Sequence, residues 1–184
     1  VKKFSFLLVA AVMVLGAYSS ILAADHLLIT EFCVSPTEGE FVEIYNPTGS
    51  TIDLTDYYLT DDCYMGDNDY IYVVNGATNV YSYDFLVQFP SGSSIDPGEY
   101  QTISTRGADD FYGQYSVYPT YELKPQNASI PNMIPIDVSS DPTLSNTGEM
   151  IMLFYWDGSS DLVKDVDYVI WGDKAEFVDK TGVS

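Results

Sequence analysis

The chain has 184 residues, 46% of them hydrophobic, with 27 acidic side chains against 7 basic ones, a net charge of −20 and a mean hydropathy near zero. That length suits one domain, and the apolar fraction excludes an intrinsically disordered chain. The charge excludes partners gripped by clustered Lys and Arg, namely nucleic acid and anionic membrane surfaces.

Val1-Lys2-Lys3, an apolar run over residues 4–17 and the stretch Tyr18-Ser19-Ser20-Ile21-Leu22-Ala23-Ala24 follow one another at the start. This is the charged head, apolar core and small-residue exit of a secretory signal. The apolar run is short of the roughly 20 residues a bilayer span needs. Residues 1–23 are therefore expected to be a cleaved signal peptide, cut after Ala23 or Ala24. Residues 24–184 are then the mature domain of a secreted, periplasmic or cell-surface protein. A chain opening on Val1 reads as an alternative start codon, hence a bacterial source. Its ending, Asp179-Lys180-Thr181-Gly182-Val183-Ser184, has no sorting motif or hydrophobic tail, so the expectation is a first module of a longer chain.

Cleavage would leave five basic residues against 27 acids, a net charge of −22. No Lys or Arg lies between Lys3 and Arg106, so the fourteen Asp and Glu from Asp25 to Glu99 have no cation nearby in sequence. Such carboxylates must be solvated, bonded to backbone, paired with the few later cations, or metal-bound.

The mature pattern has period two. Residues 26–34 (HLLITEFCV) and 40–46 (EFVEIYN) have strand length and β-branched or aromatic content. Asn46-Pro47-Thr48-Gly49-Ser50 ends the second run. Residues 57–60 and 70–74 read as short strands. Asp96-Pro97-Gly98 suits a type II turn opening a strand over 99–105. Residues 149–156 and 162–171 flank Asp157-Gly158-Ser159-Ser160, a hairpin signal. In the last strand Val166, Tyr168 and Ile170 are expected on one face, Asp165 and Asp167 on the other. No window keeps a helical period for 10–12 residues, and residues 104–146 read as irregular loop around one short strand near 121–124. The expected fold is all-β, an antiparallel sandwich. Its core is expected to draw on Phe41 or Val42, Ile44, Leu54, Leu59, Ile103, Ile151, Leu153, Val166 and Tyr168.

Chemistry is sparse in this sequence. The lone histidine, His26, reads as a surface residue at a strand start, and its isolation argues against nucleophilic triads and zinc sites. Cys33 and Cys63 are the only cysteines; they either form a bridge in an oxidising compartment or stay as two buried thiols. The segment Asp61-Asp62-Cys63-Tyr64-Met65-Gly66-Asp67-Asn68-Asp69 fails as an EF-hand, since Cys63 and Met65 fall at ligand positions. A looser, weak Ca²⁺ site from Asp61, Asp62, Asp67 and Asp69 stays open beside the plainer reading of a solvated acidic loop. No other cofactor is expected. Glu31, Glu43, Glu99 and Glu149 sit on expected strands and could pair for glycoside hydrolysis, though any acidic protein offers such pairs. Trp156 and Trp171 would stack on sugar or fill core.

The order of these elements resembles the bacterial lamin-tail domain family. The match runs through Leu28-Ile29-Thr30-Glu31 and Glu40-Phe41-Val42-Glu43-Ile44-Tyr45-Asn46-Pro47. It continues in Ile52-Asp53-Leu54 with Tyr57-Tyr58-Leu59, and in Asp96-Pro97-Gly98-Glu99-Tyr100. Leu144-Ser145-Asn146-Thr147-Gly148-Glu149 with Ile151 and Leu153, and a closing Val166-Asp167-Tyr168-Val169-Ile170-Trp171-Gly172, complete it. The resemblance implies an immunoglobulin-like sandwich with two long loop insertions, 63–89 and 106–143. It implies an interaction and attachment module with no shared catalytic residues, whose partners are proteins or cell-surface polymers. Glu31, Glu43, Asn46, Pro47, Asp53 and Gly148 then carry structural roles, with Glu43 and Asn46 bonding loop backbone at the sheet end. A secreted carbohydrate-binding module, or a small glycosidase using paired carboxylates, is the alternative.

Overall fold

The computed structural model describes residues 24–62, 70–76, 78 and 80–172. The expected signal segment, Cys63, Asp67 and Asp69 lie outside them. Eleven strands run in chain order: β1 (Leu28–Cys33), β2 (Phe41–Tyr45), β3 (Ile52–Asp53), β4 (Tyr57–Thr60), β5 (Phe85–Gln88), β6 (Ser94–Ile95), β7 (Tyr100–Ser104), β8 (Tyr121–Glu122), β9 (Ile134–Val138), β10 (Gly148–Tyr155) and β11 (Lys164–Gly172). One helix, α1 (Ala108–Tyr115), stands between β7 and β8. The strands form a four-stranded sheet ordered β1-β2-β7-β8, a five-stranded sheet ordered β11-β10-β4-β5-β9, and a β3-β6 ladder. Apart from the short parallel β7–β8 pair, every ladder is antiparallel. The fold is an all-β, immunoglobulin-like sandwich. No helix among the described residues is long and apolar enough to cross a membrane.

Strand β2 shows how alternation builds the core. Val42 and Ile44 point inward with no exposure, opposite Ile103 and Ile29, while Glu43 between them points out. Leu54, Leu59, Ile103, Ile151 and Leu153 join them with no exposed surface. Phe41 is buried on the other face, where it packs edge-on to Phe111 and Tyr115 of α1 at 5.6 Å. The five-stranded sheet is covered on both faces. Leu59, Val87, Ile151 and Leu153 face the sandwich, and Tyr58, Leu86, Met152 and Phe154 face a second cluster that includes Val73.

Four expectations are corrected. Tyr168 is 56% exposed rather than core, because Val166 is an extra residue bulged opposite Leu153/Phe154. A bulge reverses facing from that point, so Val166, Val169 and Trp171 pack against the core while Tyr168 and Ile170 turn outward. Residues 70–74 form no strand but part of a 3₁₀ helix, Tyr70–Asn75. That segment lies over the outer face of the five-stranded sheet, where Val73 packs into the second cluster. The two expected loop insertions contribute real structure: β5 and β9 belong to the five-stranded sheet and β8 to the four-stranded one. Finally, α1 exists where no helix was expected. It is two turns long, too short to show a period, and its caps come from far along the chain. Gln126 Oε1 accepts the Asp109 and Asp110 amides at 3.0 Å, and Glu122 Oε2 accepts the Ala108 amide at 2.8 Å.

Two glycines answer to close approach. Gly172 (φ 95°) lies opposite Gly148, and a Cβ on it would run into the Gly148 and Thr147 backbone. Gly107 (φ 128°) leads into α1, and a Cβ there would strike the capping Gln126. The register makes a paired prediction. Ile44→Ala should cost about 2–5 kcal/mol while Tyr168→Ala should stay within about 1 kcal/mol, both read from denaturant unfolding.

Candidate functional site

Three strand ends meet at one end of the five-stranded sheet. Asp61 directly follows β4, Asp84 directly precedes β5, and Glu149 is the second residue of β10. Because β4 pairs antiparallel with both β5 and β10, its finish lies beside their starts. One carboxylate oxygen from each of Asp61, Asp84 and Glu149 falls within 4.8 Å of the others. Asp61 is only 4% exposed. Its Oδ1 accepts the Phe85 amide at 2.6 Å, and its buried Oδ2 has no hydrogen-bond partner. Burial, then the charges of Glu149 and Asp84, hold the Asp61 carboxyl well above the usual carboxylate range. Glu149 Oε2 accepts the Ser145 amide at 2.8 Å.

The structure thus joins Asp61 to Asp84 and Glu149, not to Asp62. Asp62 is buried, with its amide on Thr60 Oγ1, and Asp67 and Asp69 lie outside the described residues. Asp84 was missed in the sequence because β5 was read as insertion. Its signal was its place immediately before the FLVQ run, as Glu149 stands second in its own strand.

The remaining candidates fall elsewhere. The half-buried Cys33 thiol donates to the Ser35 carbonyl at 3.2 Å and accepts from the Tyr115 hydroxyl at 3.4 Å. Glu31 and Glu43 are cross-strand neighbours on the outer face of the four-stranded sheet. Glu43 accepts the Thr30 hydroxyl at 2.8 Å, so its partner is a side chain within the sheet rather than loop backbone. Asn46 Nδ2 donates to the Ser50 and Ile95 carbonyls, and its Oδ1 accepts the Thr48 amide, closing the turn that holds Pro47. Asp53 accepts the Thr55 amide at 2.9 Å, and Glu99 braces the Asp96 amide at 2.7 Å. Trp171 stacks at a tilt on Phe32 at 4.7 Å, and Trp156 packs against the second cluster. His26 is exposed beside Asp25.

The Lamin Tail Domain family matches residues 22–173. The chain belongs to that family. This lamin tail domain is also similar to the crystal structure of a DUF4876 family protein from Bacteroides thetaiotaomicron VPI-5482, at 15% identity and a TM-score of 0.49. That likeness covers 80% of this chain and 51% of the other, so the chain spans about half that protein's length. No curated protein matches it.

A second buried carboxylate gives the domain a pH signature. Glu40 is 1% exposed, and its Oε2 accepts the Leu144 amide at 3.0 Å and the Thr105 hydroxyl at 3.4 Å. Burial pushes its carboxyl up from 4.5 to about 7; Glu38 adds to the rise, and the two hydrogen bonds and Arg106 oppose it. The folded form therefore holds this proton more tightly than the unfolded chain, and the contribution to stability is lost as pH rises from about 4.5 through 7. Glu40→Gln, which keeps an acceptor for Leu144, should gain on the wild type by about 2–3 kcal/mol across that window. Urea unfolding at several pH values reads the difference.

Proposed function

We propose that this lamin tail domain is an exported, non-catalytic module that attaches to proteins or cell-surface polymers. One observation carries the reading, a tyrosine pair on the part of the four-stranded sheet's outer face beyond Phe41, which α1 covers. Tyr45 and Tyr100, cross-strand neighbours on β2 and β7, stack at 4.3 Å with Tyr100 55% exposed. The same face carries Glu31, Glu43 and Thr102 in one neighbouring cross-strand row. Tyrosines held in place on a sheet offer contact area at little entropic cost. The acid surplus favours a basic partner, whose capture should weaken with added salt. Family membership and the structural use of Glu43 and Glu99 support a role without catalysis.

The half-exposed Tyr100 ring also favours the second reading, a carbohydrate-binding module, since an aromatic ring can pack on the apolar face of a sugar. Arrays of basic peptides and of surface polysaccharides, with product analysis of each saccharide, separate the readings. The first expects salt-sensitive peptide binding that Tyr100→Ala weakens about tenfold, a loss of about 1.4 kcal/mol. Saccharide turnover abolished by Glu31→Gln or Glu43→Gln would overturn the non-catalytic reading. Export predicts a secreted product whose N-terminal residue, by mass spectrometry, is Ala24 or Asp25.

A further inference from the structure

We infer that Asp61, Asp84 and Glu149 form a calcium site at the end of the five-stranded sheet. The inference does not rest on the attachment reading. The donors are all carboxylate oxygens, which suit a hard cation better than zinc or copper, whose sites favour imidazole and thiolate. Each comes from the end of a different strand of one hydrogen-bonded trio, so the site is held by the sheet and not by a single loop. Asp61 is oriented by the Phe85 amide on Oδ1. Its second oxygen is buried without a partner, and the charges that face it are both carboxylates. A buried carboxylate left in that state is costly, and a dication set among the three oxygens would remove both the repulsion and the unmet acceptor. Asp84 and Glu149 are only half-buried, and a calcium shell of about 6–8 oxygens would take water ligands beside the three carboxylates.

The competing arrangement is a proton shared between Asp61 and a neighbouring carboxylate, with no metal. Thermal melts of the whole chain with chelator, with Mg²⁺ and with Ca²⁺ distinguish the two. For a dissociation constant of ~0.1–1 mM, typical of extracellular modules, about 10 mM Ca²⁺ should raise the Tm by roughly 3–10 °C. Tb³⁺ should show tryptophan-sensitised emission, Trp171 being the cross-strand neighbour of Glu149, and Ca²⁺ should quench it by displacement. Asp61→Asn and Glu149→Gln should each abolish the Ca²⁺ shift. Without metal they should melt at or above the wild-type temperature, because each removes a repelling charge. If Asp61→Asn does not fold, Asp84→Asn carries the same comparison. Absence of both a Ca²⁺ shift and displaceable Tb³⁺ emission in the wild type would overturn the site. A shift that survives in the Asp61→Asn/Glu149→Gln double variant would overturn it too, by placing the ion elsewhere.

Discussion

Among the described residues backbone amides, more than cations, hold the carboxylates, and the fold is arranged around that constraint. Among the described residues the basic side chains are Arg106, Lys124 and Lys164, and the first two both meet Asp141, at 2.6 and 3.2 Å. The acids elsewhere turn to peptide N–H groups. Glu122 accepts the amides of Ala108, Gln126 and Asn127 from one buried position, tying the start of α1 to the loop after β8. Glu40 accepts Leu144, and Asp157 accepts Ser159 and Ser160 in the β10–β11 hairpin, where those bonds pull its carboxyl far below the usual range.

The same chemistry joins the two sheets at their edge. Thr30 is an extra residue in β1, bulged between the Ile29 and Glu31 pairings with β2. The Ile29 amide donates to Asp167 Oδ2 at 2.8 Å. Asp167 lies next to the bulged Val166 of β11, so two irregular strands meet through one carboxylate. These edge strands thus spend part of their ladder on contact between layers. Asp61 stands apart from this pattern, since its amide partner satisfies one oxygen and leaves the other buried and unmet.

Much of the sandwich was legible because period two survives wherever a strand has one wet face. Strand β2 reads Phe-Val-Glu-Ile-Tyr, and its alternation put Ile44 inward, while the choice between Phe41 and Val42 stayed open because both are apolar and both are buried, on opposite faces. The turn at Asp96-Pro97-Gly98 was equally local: Gly98 has φ 76°, and the Glu99 amide closes on the Asp96 carbonyl at 3.0 Å. Strands β5 and β9 were not legible. The four residues of β5 are buried or nearly so on both faces, which erases alternation, and β9 carries Pro135 within an exposed edge.

The sequence by itself determined the all-β class, the inward Val42 and Ile44 of the alternating β2 and the shortage of cations that turns acids to backbone. Each of these follows from local pattern or composition, which tertiary packing does not rewrite. Only the tertiary structure decided the facing of Tyr168, the existence of α1 and the company of Asp61. A bulge shifts parity without leaving a mark in composition, and the caps of α1 arrive from Glu122 and Gln126 after the helix has ended. Asp61, Asp84 and Glu149 lie 23 and 65 residues apart in turn, and antiparallel pairing of β4 with β5 and β10 is what sets their oxygens within reach of one another.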